Sequence, residues 1–129
     1  MIVMKFGGTS VGNAERIANV ANIVKSNIKR NPVVVVSAVT KITDSLIRLG
    51  KECAAGMGNK TLEHIKKTHY EILTQLRMDK KLLDEDIKEL ENLVSNAKSS
   101  KIIDEKMLDY FQSFGERMSS KIVAEQLNR

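Results

Sequence analysis

A lysine followed closely by a pair of glycines stands near the start of the chain, in the stretch Lys5-Phe6-Gly7-Gly8. Glycines allow backbone N–H groups to approach an anion closely, and the start of a following helix adds its positive end. Lys5 lies in an apolar run, where an ammonium is costly to bury unless an anion meets it. These residue types favour a phosphate-binding turn. The order is neither the Walker pattern, because the lysine precedes the glycines, nor G-x-G-x-x-G.

The same turn has a simpler interpretation, in which the glycines only make a tight bend and the Lys5 side chain extends into solvent. The glycines alone do not separate these two interpretations. The position of Lys5 at the carboxyl end of a predicted strand favours a ligand, because open α/β sheets bind their ligands at that end.

Hydroxyl side chains follow a second apolar run, in the stretch from Ser37 to Asp44. Ser37, Thr40 and Thr43 could each hydrogen-bond a ligand, and a helix that begins at Thr43 suits a carboxylate through its positive end. Because both stretches follow predicted parallel strands, we expect the two loops to open into one crevice. The alternative is that Thr43 or Asp44 only caps its helix, which explains most such residues.

A glutamate among small residues forms the third stretch, from Ser113 to Ser120. Helical spacing places Ser113, Glu116 and Ser120 on one face. The Glu116 carboxylate could receive a substrate ammonium there, and the small neighbours would leave room for it. The alternative is a surface glutamate with serines tolerated beside it, so this stretch is weak on its own.

Two short apolar runs must position the first two stretches. Ile2 to Phe6 and Pro32 to Ser37 are continuously apolar, which predicts strands of a parallel sheet covered on both faces. Between them, apolar residues recur at helical spacing after Asn13, a good N-cap. This order predicts a right-handed βαβ unit. Two buried strands do not complete a sheet, so we expect further strands to belong to the same domain.

The remainder of the chain is predicted to be helical. One long helix is expected to continue across Gly115 and to carry the third stretch, loosened at the glycine. The glycines at positions 56 and 58 should end the first helix after the second strand. Helix starts are predicted at Thr43, Thr61, Asp84 and Asp104.

Composition excludes several functional classes. The 129 residues carry a formal charge of +5, with 42% hydrophobic and 29% charged residues, which is typical of a globular domain. Basic and acidic residues are interleaved and no stacking aromatics accompany them, so no nucleic-acid partner is expected. No apolar stretch approaches membrane-spanning length, and no signal peptide is recognised, so we expect no membrane partner and a cytoplasmic location.

Several reactive residue types receive a structural interpretation. The single cysteine, Cys53, excludes an internal disulfide and is expected to be a small buried hydrophobe. His69 lies in phase with apolar neighbours and is interpreted as a partly buried, hydrogen-bonded histidine, whereas His64 is expected to be solvated. The acidic run from Asp84 to Glu91 is interpreted as a charged helix face, and no metal site is expected.

Taken together, the three stretches resemble the aspartate kinases of the amino-acid kinase family. The resemblance spans Met1 to Gln126, although residues 60 to 100 resemble the family only in being helical. It implies the N-terminal portion of a three-layer αβα fold with parallel central strands, with residues 1–129 forming part of the catalytic domain. The residues that carry it are Lys5-Phe6-Gly7-Gly8-Thr9-Ser10-Val11, Val35-Val36-Ser37-Ala38 with Thr43-Asp44 beyond, and Ser113-Phe114-Gly115-Glu116-Arg117-Met118-Ser119-Ser120.

The resemblance implies transfer of the γ-phosphoryl group of ATP to the side-chain carboxylate of L-aspartate, the first step toward lysine, threonine and methionine. Lys5 would meet the transferring phosphoryl group, where fixed positive charge stabilises the transition state. Glu116 would pair with the α-ammonium of aspartate. The implied site residues are Lys5 for catalysis, Lys5, Phe6, Gly7, Gly8 and Ser10 for the nucleotide, and Ser37, Thr43 and Glu116 for aspartate.

The resemblance also sets expectations about partners. Mg²⁺ should arrive with ATP and be bound mainly by phosphate oxygens, and the longer protein is expected to be a homo-oligomer with regulatory ACT domains outside these residues. One departure is Lys41, which stands where the family often has a glycine and predicts a different turn before Thr43. The alternatives are a glutamate, acetylglutamate or uridylate kinase, or a non-catalytic binding module if 129 residues is the natural length.

Overall fold

A computed structural model describes residues 1–129 and places two parallel strands beside each other. Strand β1 is Ile2–Phe6 and strand β2 is Pro32–Val36, paired in register from Ile2 with Pro32 to Phe6 with Val36. A 3-10 turn at Gly8–Val11 and helix α1, Ala14–Ser26, lie between them. The predicted strand, helix, strand order is therefore confirmed.

Local signals account for the start of α1 and for the turn that leads into β2. The Asn13 side chain accepts a hydrogen bond from the backbone N–H of Arg16 at 2.9 Å, which is the predicted N-cap. After a second 3-10 turn at Ile28–Arg30, Asn31 adopts φ 51° and returns the chain into β2. Asparagine tolerates this left-handed conformation better than most residues.

Four helices follow β2: α2 is Ile42–Ala54, α3 is Asn59–Gln75, α4 is Asp84–Ser100 and α5 is Glu105–Leu127. Asp104 caps α5 by accepting from Met107 N at 2.8 Å, and α5 continues through Gly115 as one helix. The predicted start at Thr61 is wrong by two residues, because Gly58 takes φ 118° and lets the helix begin at Asn59.

The apolar core lies among the helices. A single cluster of 26 buried hydrophobic residues joins all five helices. Cys53 belongs to it, as predicted. The largest fully buried side chains are Phe111, Phe114, Ile17, Ile42, Leu46, Leu49, Ile65, Leu73, Leu83, Leu90, Met118 and Ile122.

The sheet is covered on one face only. Phe6 lines a small cleft with residues of α1, and Val34 and Val36 line another with residues of α5. On the opposite face Val3 is 63% exposed, Val33 46% and Val35 45%. The expectation that both faces are covered is therefore not met within these residues, since a valine-rich run does not say which elements supply the cover. No helix combines the length and apolarity needed to cross a membrane.

Candidate functional site

The carboxyl ends of the two strands lie side by side, as the sequence predicts. Phe6 pairs with Val36 in the last position of the sheet. Beyond it, the Ser37 N–H donates to the carbonyl of Phe6 at 3.0 Å, which extends the ladder by one bond. The glycine turn after β1 and the hydroxyl-rich loop after β2 therefore leave the sheet at the same level and on the same edge.

The glycine turn is fixed from within and from α1. Ser10 N–H donates to the Gly7 carbonyl at 3.0 Å, which closes the 3-10 turn. The Arg16 guanidinium, reaching back from the first turn of α1, donates to the Thr9 carbonyl at 2.9 Å. Arg16 makes no ion pair with any acidic residue. Its charge therefore remains available beside the turn.

The two loops contact each other directly. Thr40 donates its hydroxyl to the Gly8 carbonyl at 2.8 Å, so this hydroxyl is used within the protein and is not free for a ligand as the sequence suggested. A Cβ atom on Gly12 would lie 2.5 Å from Thr40 Oγ1, and one on Gly8 would lie 3.2 Å from the Ala38 carbonyl oxygen. The close approach of the loops therefore requires glycine at position 12 and leaves little room at position 8.

Lys41 sets the start of α2. It adopts φ 66°, the left-handed region that glycine enters most easily. The expectation that lysine makes this turn differ from one built on glycine is not supported, because the backbone takes a glycine-like conformation here. Thr43 and Asp44 consequently stand exposed in the first turn of α2, where a carboxylate ligand would meet free backbone N–H groups.

Helix α5 packs against the loop after β2 through two small residues that are one turn apart. A Cβ atom on Gly115 would lie 2.7 Å from the Ala38 Cβ, so only glycine permits this approach. Ser119, which is fully buried, donates its hydroxyl to the Ser37 carbonyl at 2.6 Å. These contacts bring the Glu116 turn of α5 against the loop after β2.

The charged residues of the predicted site carry no partner from the protein. Lys5 lies on the open face of the sheet and Glu116 on the outer side of α5, and neither forms an ion pair. Lys5 is therefore exposed, whereas the argument from its place in an apolar strand assumed that it is buried among apolar side chains. Ser37 is half-buried and Thr43 is exposed. An ammonium and a carboxylate remain available to ligands of opposite charge.

The structure buries His69 more completely than the sequence indicates and leaves His64 exposed, as predicted. His69 is fully buried in α3, and its Nδ1 atom lies 2.7 Å from the Ile65 carbonyl oxygen. Burial lowers the pKa of His69, and the bond to that carbonyl opposes the shift only in part. His64 is exposed. Neither histidine belongs to the loops at the carboxyl edge.

Sequence reasoning missed three contacts that hold the site. Ser119 was treated only as a small neighbour of Glu116, although the spacing of four residues from Gly115 puts both on one face and indicates a close approach. Asp86 was assigned to a solvated face but is fully buried against α5. No local sequence pattern predicts the contact of Arg16, since its partner Thr9 lies on a separate turn.

Comparison with known proteins extends over the whole chain. The profile of the amino acid kinase family matches residues 1–129. Chloroplastic aspartokinase 3 of Arabidopsis thaliana is 36% identical over 132 residues, covering 98% of this chain and 24% of that protein. Aspartokinase of Bacillus sp. (strain MGA3) is 44% identical over 78 residues, covering 59% of this chain and 19% of that protein. The chain thus spans only a minor part of the length of the curated relatives it matches.

Solved structures agree with these sequences. Escherichia coli aspartokinase III in complex with aspartate and ADP superimposes with a TM-score of 0.86 at 29% identity, over 99% of this chain and 29% of that one. Clostridium acetobutylicum aspartate kinase superimposes with a TM-score of 0.77 at 26% identity over the same shares. Since the family profile covers every residue and the backbone follows solved kinases, this chain belongs to the amino acid kinase family.

Proposed function

We propose that this chain forms part of an aspartate kinase, which transfers the γ-phosphoryl group of ATP to the side-chain carboxylate of L-aspartate. One observation carries the proposal: two loops at the same edge of a parallel sheet are bonded to each other and to α5, with unpaired Lys5 and Glu116 on the flanking elements. The aspartate and ADP named for the E. coli relative match the charges that these two residues would receive.

The proposed reaction requires that the two substrates be positioned and that fixed positive charge stabilise the transferring phosphoryl group. An oxygen of the aspartate carboxylate attacks the γ-phosphorus, the bond from that phosphorus to the β,γ-bridging oxygen breaks, and ADP leaves with the electron pair. The carboxylate is already ionised near neutral pH, so no general base is needed. In this proposal Lys5 stabilises the charge on the transferring group, and backbone N–H groups from Phe6 to Gly8, with Ser10, contact the phosphates.

The residues of the chain fit a nucleotide that brings its own metal. No group of three or more His, Cys, Asp or Glu side chains is placed to hold a metal ion. As the family resemblance implies, Mg²⁺ would arrive with ATP and be bound mainly by phosphate oxygens, where it neutralises charge on the nucleotide. In the glycine turn, no atom lies within 4 Å of the place where a Cβ atom on Gly7 would stand. The backbone of Gly7 is therefore open to a phosphate.

Ser37, Thr43 and Glu116 are proposed to hold aspartate. Glu116 would pair with the α-ammonium, and the hydroxyls with the backbone N–H groups of the first turn of α2 would face a carboxylate. A glutamate, acetylglutamate or uridylate kinase would need a different acceptor site, so a panel of these acceptors separates the members of the family. Strong preference for another acceptor would overturn the choice of aspartate. Self-association and a cytoplasmic location are further expectations for the longer protein.

The test uses a kinase in which this chain is joined to the remainder of the family's catalytic domain. Aspartate-dependent release of ADP from Mg-ATP is expected, and Lys5→Ala should lower kcat by about 10² to 10³-fold, the usual effect of removing one transition-state donor. Lys29→Ala is the matched control, because Lys29 is exposed near the amino end of β2. Full activity in Lys5→Ala would exclude the phosphate role.

A further inference from the structure

A buried carboxylate joins α4 to α5 beside the proposed aspartate site. Asp86 of α4 is fully buried. Its Oδ1 lies 2.9 Å from Arg117 Nη2 and its Oδ2 lies 2.6 Å from Lys121 Nζ. Arg117 and Lys121 are one turn apart on α5, so a single carboxylate from α4 contacts both cations.

Further contacts involve Arg117 and its second acidic partner. Arg117 also contacts Glu89, one turn after Asp86 on α4, and Tyr110 donates its hydroxyl to Glu89 at 3.0 Å. The guanidinium carbon of Arg117 lies 4.6 Å from the centre of the Phe114 ring. The hydrogen bonds from Arg117 and Tyr110 lower the pKa of Glu89. Burial opposes the charge of Arg117, but Glu89 and Asp86 outweigh it and raise the pKa of the guanidinium.

A buried charge of this kind permits few arrangements of its helices. Removing one partner leaves an uncompensated charge out of water, which is strongly unfavourable, so the pair tolerates neither sliding nor rotation of α5. A purely apolar contact would tolerate both more readily, since apolar attraction is not directional. Asp86 therefore favours one rotational setting of α5 against α4.

The opposite side of α5 carries the second set of contacts. Gly115 and Ser119 meet the loop after β2, and at 3.6 residues per turn Arg117 points about 200° away from Gly115 around the helix axis. Glu116 lies between these two sides, about 100° from Gly115. The helix is thus held on two nearly opposed sides, with Glu116 on the outer surface between them.

We propose that Asp86 is a positioning residue, which fixes the rotation of α5 through Arg117 and Lys121 and so sets the direction in which Glu116 meets the ammonium of the amino-acid substrate. This inference rests on the proposed function. Asp86 does not itself touch substrate, since α4 and α5 enclose it. Its effect should appear in the recognition of aspartate and not in that of ATP, which is proposed to lie on the β1 turn.

The experiment measures steady-state kinetics of the kinase that contains this chain, with Asp86→Asn as the variant. Asparagine keeps the shape of the side chain and removes its charge. We expect kcat/KM for aspartate to fall by about ten- to a hundredfold, since a misplacement of about 1 Å can cost about a hundredfold. The loss should come mainly through a higher KM for aspartate. The KM for ATP should stay within about twofold of the wild-type value.

Glu85→Gln is the matched control. Glu85 is the preceding residue of α4, it is exposed, and it forms no ion pair. Its replacement should leave both KM values unchanged. Asp86→Glu, which restores the charge on a longer side chain, should recover part of the affinity for aspartate.

The outcomes separate positioning from a general structural role. A variant that only unfolds more readily has less active enzyme, so kcat per mole of protein falls while both KM values stay constant, and this result would overturn the inference. If Asp86→Asn does not fold, Lys121→Met decides, because it removes one cation and leaves Asp86 paired with Arg117. An unchanged KM for aspartate in that variant also overturns it. A wild-type kinase that does not use aspartate would refute the proposed function and the inference together.

Discussion

On the helical side of the molecule Leu73, Leu90 and Phe111 are completely enclosed, whereas on the open face of the sheet Val3, Val33 and Val35 stand exposed although they are just as apolar. Every helix contributes to one continuous cluster, but the strands contribute only through one face. The difference indicates that the free energy of folding of these residues comes mainly from the helices, because burial of apolar area is its dominant favourable term.

The proposed site lies where these two regions meet. Its lysine comes from the sheet and its glutamate from the helical side, and the bonds between them run through the loop after β2. A change in the helices should therefore alter both stability and the position of α5, whereas truncation of an exposed valine on the open face should alter stability little. The predictions below test this difference, beginning with the largest effect.

Phe111→Ala should lower the free energy of unfolding by about 3–5 kcal/mol, because it removes a fully buried ring and leaves a cavity. Val33→Ala on the open face is the matched truncation and should change it by less than about 0.5 kcal/mol. Chemical denaturation of the 129-residue chain measures both. Equal losses would mean that the open face is covered in solution and that the comparison is wrong.

Gly115→Ala should destabilise the chain by about 1–3 kcal/mol, because the added methyl group overlaps the Ala38 side chain. Alanine normally stabilises a helix relative to glycine by about 1 kcal/mol, so the reversed sign is diagnostic of the contact. Gly7→Ala is the control, since Gly7 has open space around it and φ −74°. A stabilising effect at position 115 in thermal unfolding would show that α5 does not approach the loop so closely.

His69 should make the smallest of these contributions to the free energy of unfolding, and its contribution should depend on pH. Burial lowers its pKa, so below the ordinary value of about 6.5 the unfolded chain binds the proton more readily than the folded one. Stability is then fully present above that value and falls as the pH drops toward the lower folded pKa. Denaturation midpoints measured across this range should show the slope, and His69→Leu should reduce it. His64→Gln, at an exposed position, should leave it unchanged.

Local signals predicted much of the fold. Asn13 and Asp104 are caps whose partners lie three residues away, so the information that places them is contained in a short stretch of sequence. The start of α4 at Asp84 and the passage of α5 through Gly115 were predicted from helical periodicity in the same way. The start at Thr61 was wrong, because the turn at Gly58 acts two residues earlier.

Long-range contacts set the limit of that prediction. Asp86 sits in an acidic run that is typical of a solvated face, and only the return of α5, 31 residues later at Arg117, buries it. The open face of the sheet has the same origin, since the valines of β2 favour burial without identifying a cover. For the candidate site, the sequence predicted that the two loops share one edge. The roles of Lys5, Ser37, Thr43 and Glu116 remain predictions, and the kinetics of Lys5→Ala test the first of them directly.

The pairing of the two strands has a consequence for how the chain aligns itself while folding. Lys5 pairs with Val35 and both side chains point to the open face. If β1 slipped by one residue along β2, the alternation of side chains would turn Lys5 toward the helices and bring its apolar neighbours outward. An unpaired ammonium would then be enclosed by aliphatic side chains, at a large cost in solvation. The charge of Lys5 thus disfavours the misaligned pairing and favours the observed register of the two strands.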